Sequence, residues 1–204
     1  MKAIILSIIL LIIFEIIIYI LVYKFKKNFK WIISKNDEYP KFNYKNLINF
    51  YKNSFDSSLG WDRKKNSSGF EKSNRQTKFT ISKKGYRGEK NFKKNKISVF
   101  GDSFAFCRYV NDDETWEYFL EERLKKNVFN FGVGNYGLDQ SFLKFNKYKK
   151  KIDSEIIIFN VVPETIARIN SYWKHYIEFG NIHAFKPIIN FNNNKVKILK
   201  IKVR

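Results

Sequence analysis

Between Lys96 and Phe179 short apolar runs alternate with amphipathic segments, and this alternation most constrains what the chain can fold into. Ile97 to Phe100, Val128 to Phe131 and the run EIIIFNVV have the length and the branched or aromatic character of buried strands. ETWEYFLEERL, LDQSFLKFNKYKK and PETIARINSYWKHYIEF carry helical spacing. The first sets Trp116, Phe119, Leu120 and Leu124 on one face behind Asp112, Asp113 and Glu114, and the last has Pro163 in its first turn. Continuous apolar strands joined by such helices predict an α/β domain whose parallel sheet is flanked by helices. Ligands of such sheets bind at the carboxyl ends of the strands.

The unusual residues fall at those ends. Gly101, Asp102 and Ser103 close the first strand, Gly132, Gly134, Asn135 and Gly137 follow the second, and Asn160 lies at the end of the third. Glycines there let the backbone turn sharply or approach a ligand. A serine among backbone N–H groups suits acyl transfer, its hydroxyl attacking a carbonyl while the N–H groups hold the oxyanion. The plain alternative is that Ser103 only caps a helix, which leaves the second glycine cluster unexplained.

The amino terminus adds a different element. Ala3 to Tyr23 is almost unbroken Ile, Leu, Val and Phe, enough at ~1.5 Å per residue to cross a hydrocarbon core of ~30 Å. Tyr23, Lys24, Phe25, Lys26 and Lys27 follow it in place of small residues, so the run reads as a span or uncleaved anchor. Glu15 near its middle is outweighed by the surrounding Ile and Leu. Lys24, Lys26, Lys27 and Lys30 outnumber Lys2 and the terminal amine, which by charge bias alone would leave the remainder in the cytoplasm. The expected division is an anchor over 1–27, a juxtamembrane and leading strand-and-turn region over 28–95, and the α/β domain over 96–204. Within the middle region a short helix is expected around Leu47 to Tyr51, a loop at RKKNSSGFEKSNRQ and a short strand or hairpin at KFTISKKGYRG.

Composition excludes more than it assigns. With 44% hydrophobic and 18% aromatic residues the 204-residue chain can bury a core. A net charge of +20 invites a nucleic-acid reading, but the lysines are scattered in ones and twos without zinc-ligand spacing or an RNA-binding aromatic signature. No nucleic-acid partner, cofactor or metal is expected. The single cysteine, Cys107, rules out an internal disulfide.

The element strand-Gly101-Asp102-Ser103-Phe104, the segment NFGVGNYGLDQ and the upstream SLGWDRKKNSSG and FTISKKGYRG together resemble the SGNH, or GDSL-type, hydrolase superfamily, in particular its membrane-anchored bacterial members. The resemblance covers roughly residues 54 to 170. It implies a three-layer, flavodoxin-like fold with Ser103 as nucleophile and oxyanion contributor, and Gly101 and Asp102 in support. It implies a second oxyanion N–H at Gly134 or Asn135. The third block's asparagine has Asn160 as its candidate, which can equally be an ordinary strand-end residue.

The family's closing Asp-x-x-His block is absent. His175 and His183 lack an aspartate at that spacing and read as satisfied or surface histidines, and a chain cut before the block is the expected explanation. Three functions stay open: an esterase or deacylase of acylated envelope carbohydrate or lipid, an O-acyltransferase of an envelope glycan, and a catalytically inactive binding protein of the same fold. Anchored relatives face outward, so the resemblance implies a single-pass membrane protein with an extracytoplasmic domain, its partners being the lipid bilayer and the acylated substrate.

Overall fold

A computed structural model describes residues 2–25, 40–90, 95–174, 182–192 and 195–199. The chain divides into two compact units, Met1–Lys41 and Phe42–Arg204. The first contains helix α1 (Lys2–Lys24), whose side chains are all at least partly exposed. It is long and apolar enough to cross a membrane, as a span or a signal sequence does. Lys26, Lys27, Lys30 and His175 lie outside the described residues.

In the second unit α2 (Tyr44–Asn53) is capped by Asn43, whose side chain accepts from Asn46 N at 3.1 Å, and it turns Phe50 inward. The short strands β1 (Phe55–Asp56) and β2 (Gly60–Trp61) pair antiparallel. Strands β3 (Ser67–Lys72) and β4 (Gln76–Ile81) form a hairpin in register from Ser67 opposite Ile81 to Lys72 opposite Gln76. Part of the expected loop at RKKNSSGFEKSNRQ is therefore strand. Alternating burial along β3 accounts for it, since one face is covered while the other is open.

The parallel sheet comprises β5 (Asn95–Phe100), β6 (Asn127–Asn130) and β7 (Ile156–Phe159) in the order β6-β5-β7. Arg87 bridges the hairpin to it, pairing with Ile81 and with Asn130. Helices α3 (Ser103–Phe106), α4 (Trp116–Leu124), α5 (Leu138–Tyr148) and α6 (Pro163–Ala167) complete the alternation, and β8 (Ile188–Asn192) pairs antiparallel with β9 (Lys195–Leu199). The described chain is thus mixed α/β, with a small parallel sheet, helices and an apolar amino-terminal helix.

Strand alternation divides the core between the two faces of the sheet. Ile97, Val99 and Val128 pack with Ala105 and Leu120. Phe100, Phe129 and Phe131 pack with Tyr148 and Phe145, the Phe100 and Phe131 rings stacking at 5.0 Å. A third cluster joins Leu59 and Trp61 to Val133, Tyr136 and Leu143, so residues before 96 share the core of those after it. Full burial of side chains this size contributes about 1.5–3 kcal/mol each.

Two helices depart from expectation. In α4 the apolar face is the open one: Phe119 is 57% and Leu124 43% exposed, and only Leu120 joins the core. The buried residues are Glu117 and Glu121. Partners decide this, since Glu121 receives Lys90 Nζ at 2.7 Å and Val128 N at 3.0 Å, so its burial costs less than that of an unpaired charge. The expected third helix stops at Ala167 and passes into a 3-10 turn, Arg168–Asn170. Lys186 Nζ donates to Arg168 O in that turn at 2.6 Å, satisfying a carbonyl that a longer helix would have used.

Candidate active site

At the end of β5 the chain turns within two residues. Asp102 caps α3, one carboxylate oxygen accepting from Phe104 N at 2.9 Å, and Ser103 is the first helical residue. Such a tight turn needs small neighbours. A Cβ on Gly101 would lie 2.7 Å from Ala105 Cβ and 2.9 Å from Asn160 Cβ, and one on Gly132 would lie 2.4 Å from Phe106 N. Both glycines are therefore required by close approach, which brings α3 against the ends of β6 and β7.

Polar contacts fasten the same end. Asn130 Nδ2 donates to Ala105 O at 2.7 Å while its Oδ1 accepts from Gly132 N at 2.9 Å. Val133 N reaches Gly101 O at 3.0 Å, and Asn160 N reaches Phe100 O at 2.8 Å. Arg168 Nη1 donates to Asp102 Oδ2 at 2.8 Å and to Tyr136 O at 3.1 Å, clamping the β5 turn to the loop that carries Asn135. Behind α3 the buried Arg87 donates to Cys107 O at 2.6 Å, Val110 O at 2.5 Å and Asp112 Oδ1 at 2.7 Å.

The sequence-derived candidates therefore lie at the carboxyl ends of three adjacent strands. Gly101, Asp102 and Ser103 follow the central strand; Gly134 and Asn135 follow β6; Asn160 follows β7 directly. Asn135 has a left-handed backbone, φ 63°, a region asparagine tolerates. Ser103 is half-buried, and no described residue hydrogen-bonds its hydroxyl. The side-chain oxygen of Asn160 is buried without a hydrogen-bond partner among the described residues.

Beside Gly134 and Asn135 opens a cleft of about 380 Å³ whose wall includes Arg63, Glu71, Arg108 and Lys174. Two guanidiniums share one carboxylate there: Glu71 Oε1 accepts from Arg63 at 3.2 Å and from Arg108 at 3.3 Å. Burial works against the ionised Glu71, but Tyr109 N–H and the two arginines outweigh it and hold the carboxyl below its ordinary range. The cleft wall thus sets Arg63, Arg108 and Lys174 against Glu71 and Asp62, beside Gly134 and Asn135.

His183 is buried against Phe42 and Phe50, with ring centroids at 5.6 and 6.4 Å. Arg168, Asn130 and Arg87 were not legible as site residues. A buried aspartate at a strand end implies a cationic partner, but spacing does not say which of 39 lysines and arginines supplies it. No protein-family model matches the chain, and no curated protein matches it.

Proposed function

We propose that this chain is a membrane-tethered SGNH/GDSL-type ester hydrolase, an esterase or deacylase of envelope carbohydrate or lipid, with a three-layer flavodoxin-like domain on the extracytoplasmic side. The observation that carries the reading is the setting of Ser103. It opens the helix after the central strand, its neighbour Asp102 is engaged through both oxygens, and its own hydroxyl is uncommitted among the described residues. In this reading Ser103 Oγ attacks the ester carbonyl, the bond to the alcohol breaks, the alcohol leaves with a proton, and water later releases the acid. Backbone N–H groups at Ser103 and Asn135 and the Asn160 amide are the oxyanion donors. The arginines of the adjacent cleft favour a substrate bearing negative charge.

The sequence carries no Asp-x-x-His block, and in this reading proton removal limits the rate. Serine hydrolases stripped of their triads keep on the order of 10³–10⁴ over water, and turnover of p-nitrophenyl acetate near that level is expected. The test is fluorophosphonate labelling of the full chain in neutral nanodiscs. Labelling should be slow, confined to Ser103, faster with added imidazole and lost in Ser103→Ala; brisk labelling that survives that substitution rejects the nucleophile. Carboxyl-terminal phosphatase and β-galactosidase fusions test the side, and activity of β-galactosidase alone rejects the extracytoplasmic placement.

The lack of an Asp-x-x-His block in the sequence also favours a second reading, a catalytically inactive binding protein. Its signature is binding of an acetylated glycan with no Ser103 labelling even in imidazole.

A further inference from the structure

A larger cavity, about 600 Å³, lies along β6 and is separate in its lining from the cleft beside Asn135. Its apolar wall is aromatic: Tyr86, Phe129, Phe131 and Tyr148. These rings form one cluster, with Tyr86 4.5 Å from Phe129 and Phe131 5.1 Å from Tyr148. Around them stand Lys65, Lys83, Lys84 and Lys151, and none of these four pairs with a carboxylate among the described residues. Lys90 also reaches the cavity but is neutralised by Glu121 at 2.7 Å, and Asp153 offers a carboxylate to the wall.

A tight turn brings two of these lysines to the rim of the cavity. Lys83 and Lys84 sit in a turn closed by Gly85 N to Ser82 O at 3.0 Å and Ser82 N to Tyr86 O at 2.8 Å. Gly85 has φ +91°, and a Cβ there would lie 2.8 Å from the Tyr148 hydroxyl oxygen, so only glycine lets this turn approach so closely. Lys65 Nζ lies 4.7 Å from the centre of the Tyr148 ring. Tyr148 is only 4% exposed, and its hydroxyl has no hydrogen-bond partner among the described residues. A lysine-rich surface alone is solvated; exposed lysines at the rim of an aromatic wall, Lys65 over the Tyr148 ring among them, in a cavity of ligand size, make a pocket with two complementary demands.

We propose that this cavity binds a small organic anion with an apolar body, a phosphate or carboxylate carried on an aromatic or acyl group. The rings take the body, and Lys65, Lys83, Lys84 and Lys151 take the charge. The site does not depend on Ser103.

The test uses calorimetry on the full chain in zwitterionic nanodiscs at low salt, with empty nanodiscs subtracted. The probes are 2-naphthyl phosphate, inorganic phosphate and 2-naphthol. Naphthyl phosphate should bind at least about tenfold more tightly than either half alone, and Lys83→Gln with Lys84→Gln should weaken it about tenfold without moving Tm. Added salt should weaken it too. The proposal is overturned if naphthyl phosphate does not bind, if inorganic phosphate binds as tightly, or if the double variant keeps full affinity.

Discussion

Asp102 and Glu117 are both buried carboxyls, and the protein treats them in opposite ways. Asp102 is fully buried at the end of β5, yet one oxygen takes Arg168 at 2.8 Å and the other takes Phe104 N at 2.9 Å. Glu117, 1% exposed beneath α4, has only the Cys107 thiol at 3.2 Å on one oxygen, and the other has no partner among the described residues. Burial accordingly pushes the Glu117 pKa up to about 7, against the pull of its own backbone N–H, the Cys107 thiol, Arg87 and Lys90. The first carboxylate fastens a turn whose geometry must not move. The second is a buried acid that stays partly protonated at neutral pH, under a helix whose apolar face is open.

Breaking the first pair should give the largest effect. Arg168→Leu leaves Asp102 buried and unpaired and removes the donor to Tyr136 O, so urea unfolding should show a loss of about 3–5 kcal/mol. Arg168→Lys should recover only part of it, since one ammonium does not reproduce the guanidinium fork. A loss below ~1 kcal/mol would place the pair with ordinary surface bridges and dissolve the contrast.

Glu117→Gln tests the other side. The folded pKa lies above the ordinary 4.5, so this group's contribution is complete below pH 4.5 and is lost as pH rises through about 7. Relative to the Gln variant, the parent should lose stability across that window, and above pH 7 the variant should be the more stable by on the order of 2–3 kcal/mol. A difference curve flat with pH would mean that Glu117 stays ionised like Asp102.

A smaller effect should appear at Cys107, whose thiol is pushed up to about 12 by burial and then by the charge of Glu117. Ellman's reagent at pH 8 should modify it slowly, and Glu117→Gln should raise that rate about three- to tenfold by removing the neighbouring charge. An unchanged rate would show that burial alone silences the thiol.

The place of the candidate site was readable because it rests on local rules. A strand of Ile97 to Phe100, then glycine, then a helix start puts Ser103 at a carboxyl edge in any parallel α/β sheet. The buried side of α4 was not readable. Trp116, Phe119 and Leu124 promise an apolar inner face, and the structure buries Glu117 and Glu121 in their place because Lys90, Val128 N and Cys107 meet them. Those partners lie up to 31 positions away, beyond the reach of any helical period.

By itself the sequence determined the α/β alternation, the apolar amino-terminal helix, and the strand-end position of Gly101, Asp102, Ser103, Asn135 and Asn160. Each follows from short-range sterics or from hydropathy over a few residues. Only the tertiary structure decided the strand order, the engagement of Asp102 by Arg168 66 positions later, the inversion of α4 and the lysine-rimmed aromatic cavity. The physical reason is common to these four. Pairing of strands and charges depends on which distant groups arrive together, and a folded chain selects its partners by the desolvation cost of leaving any of them alone.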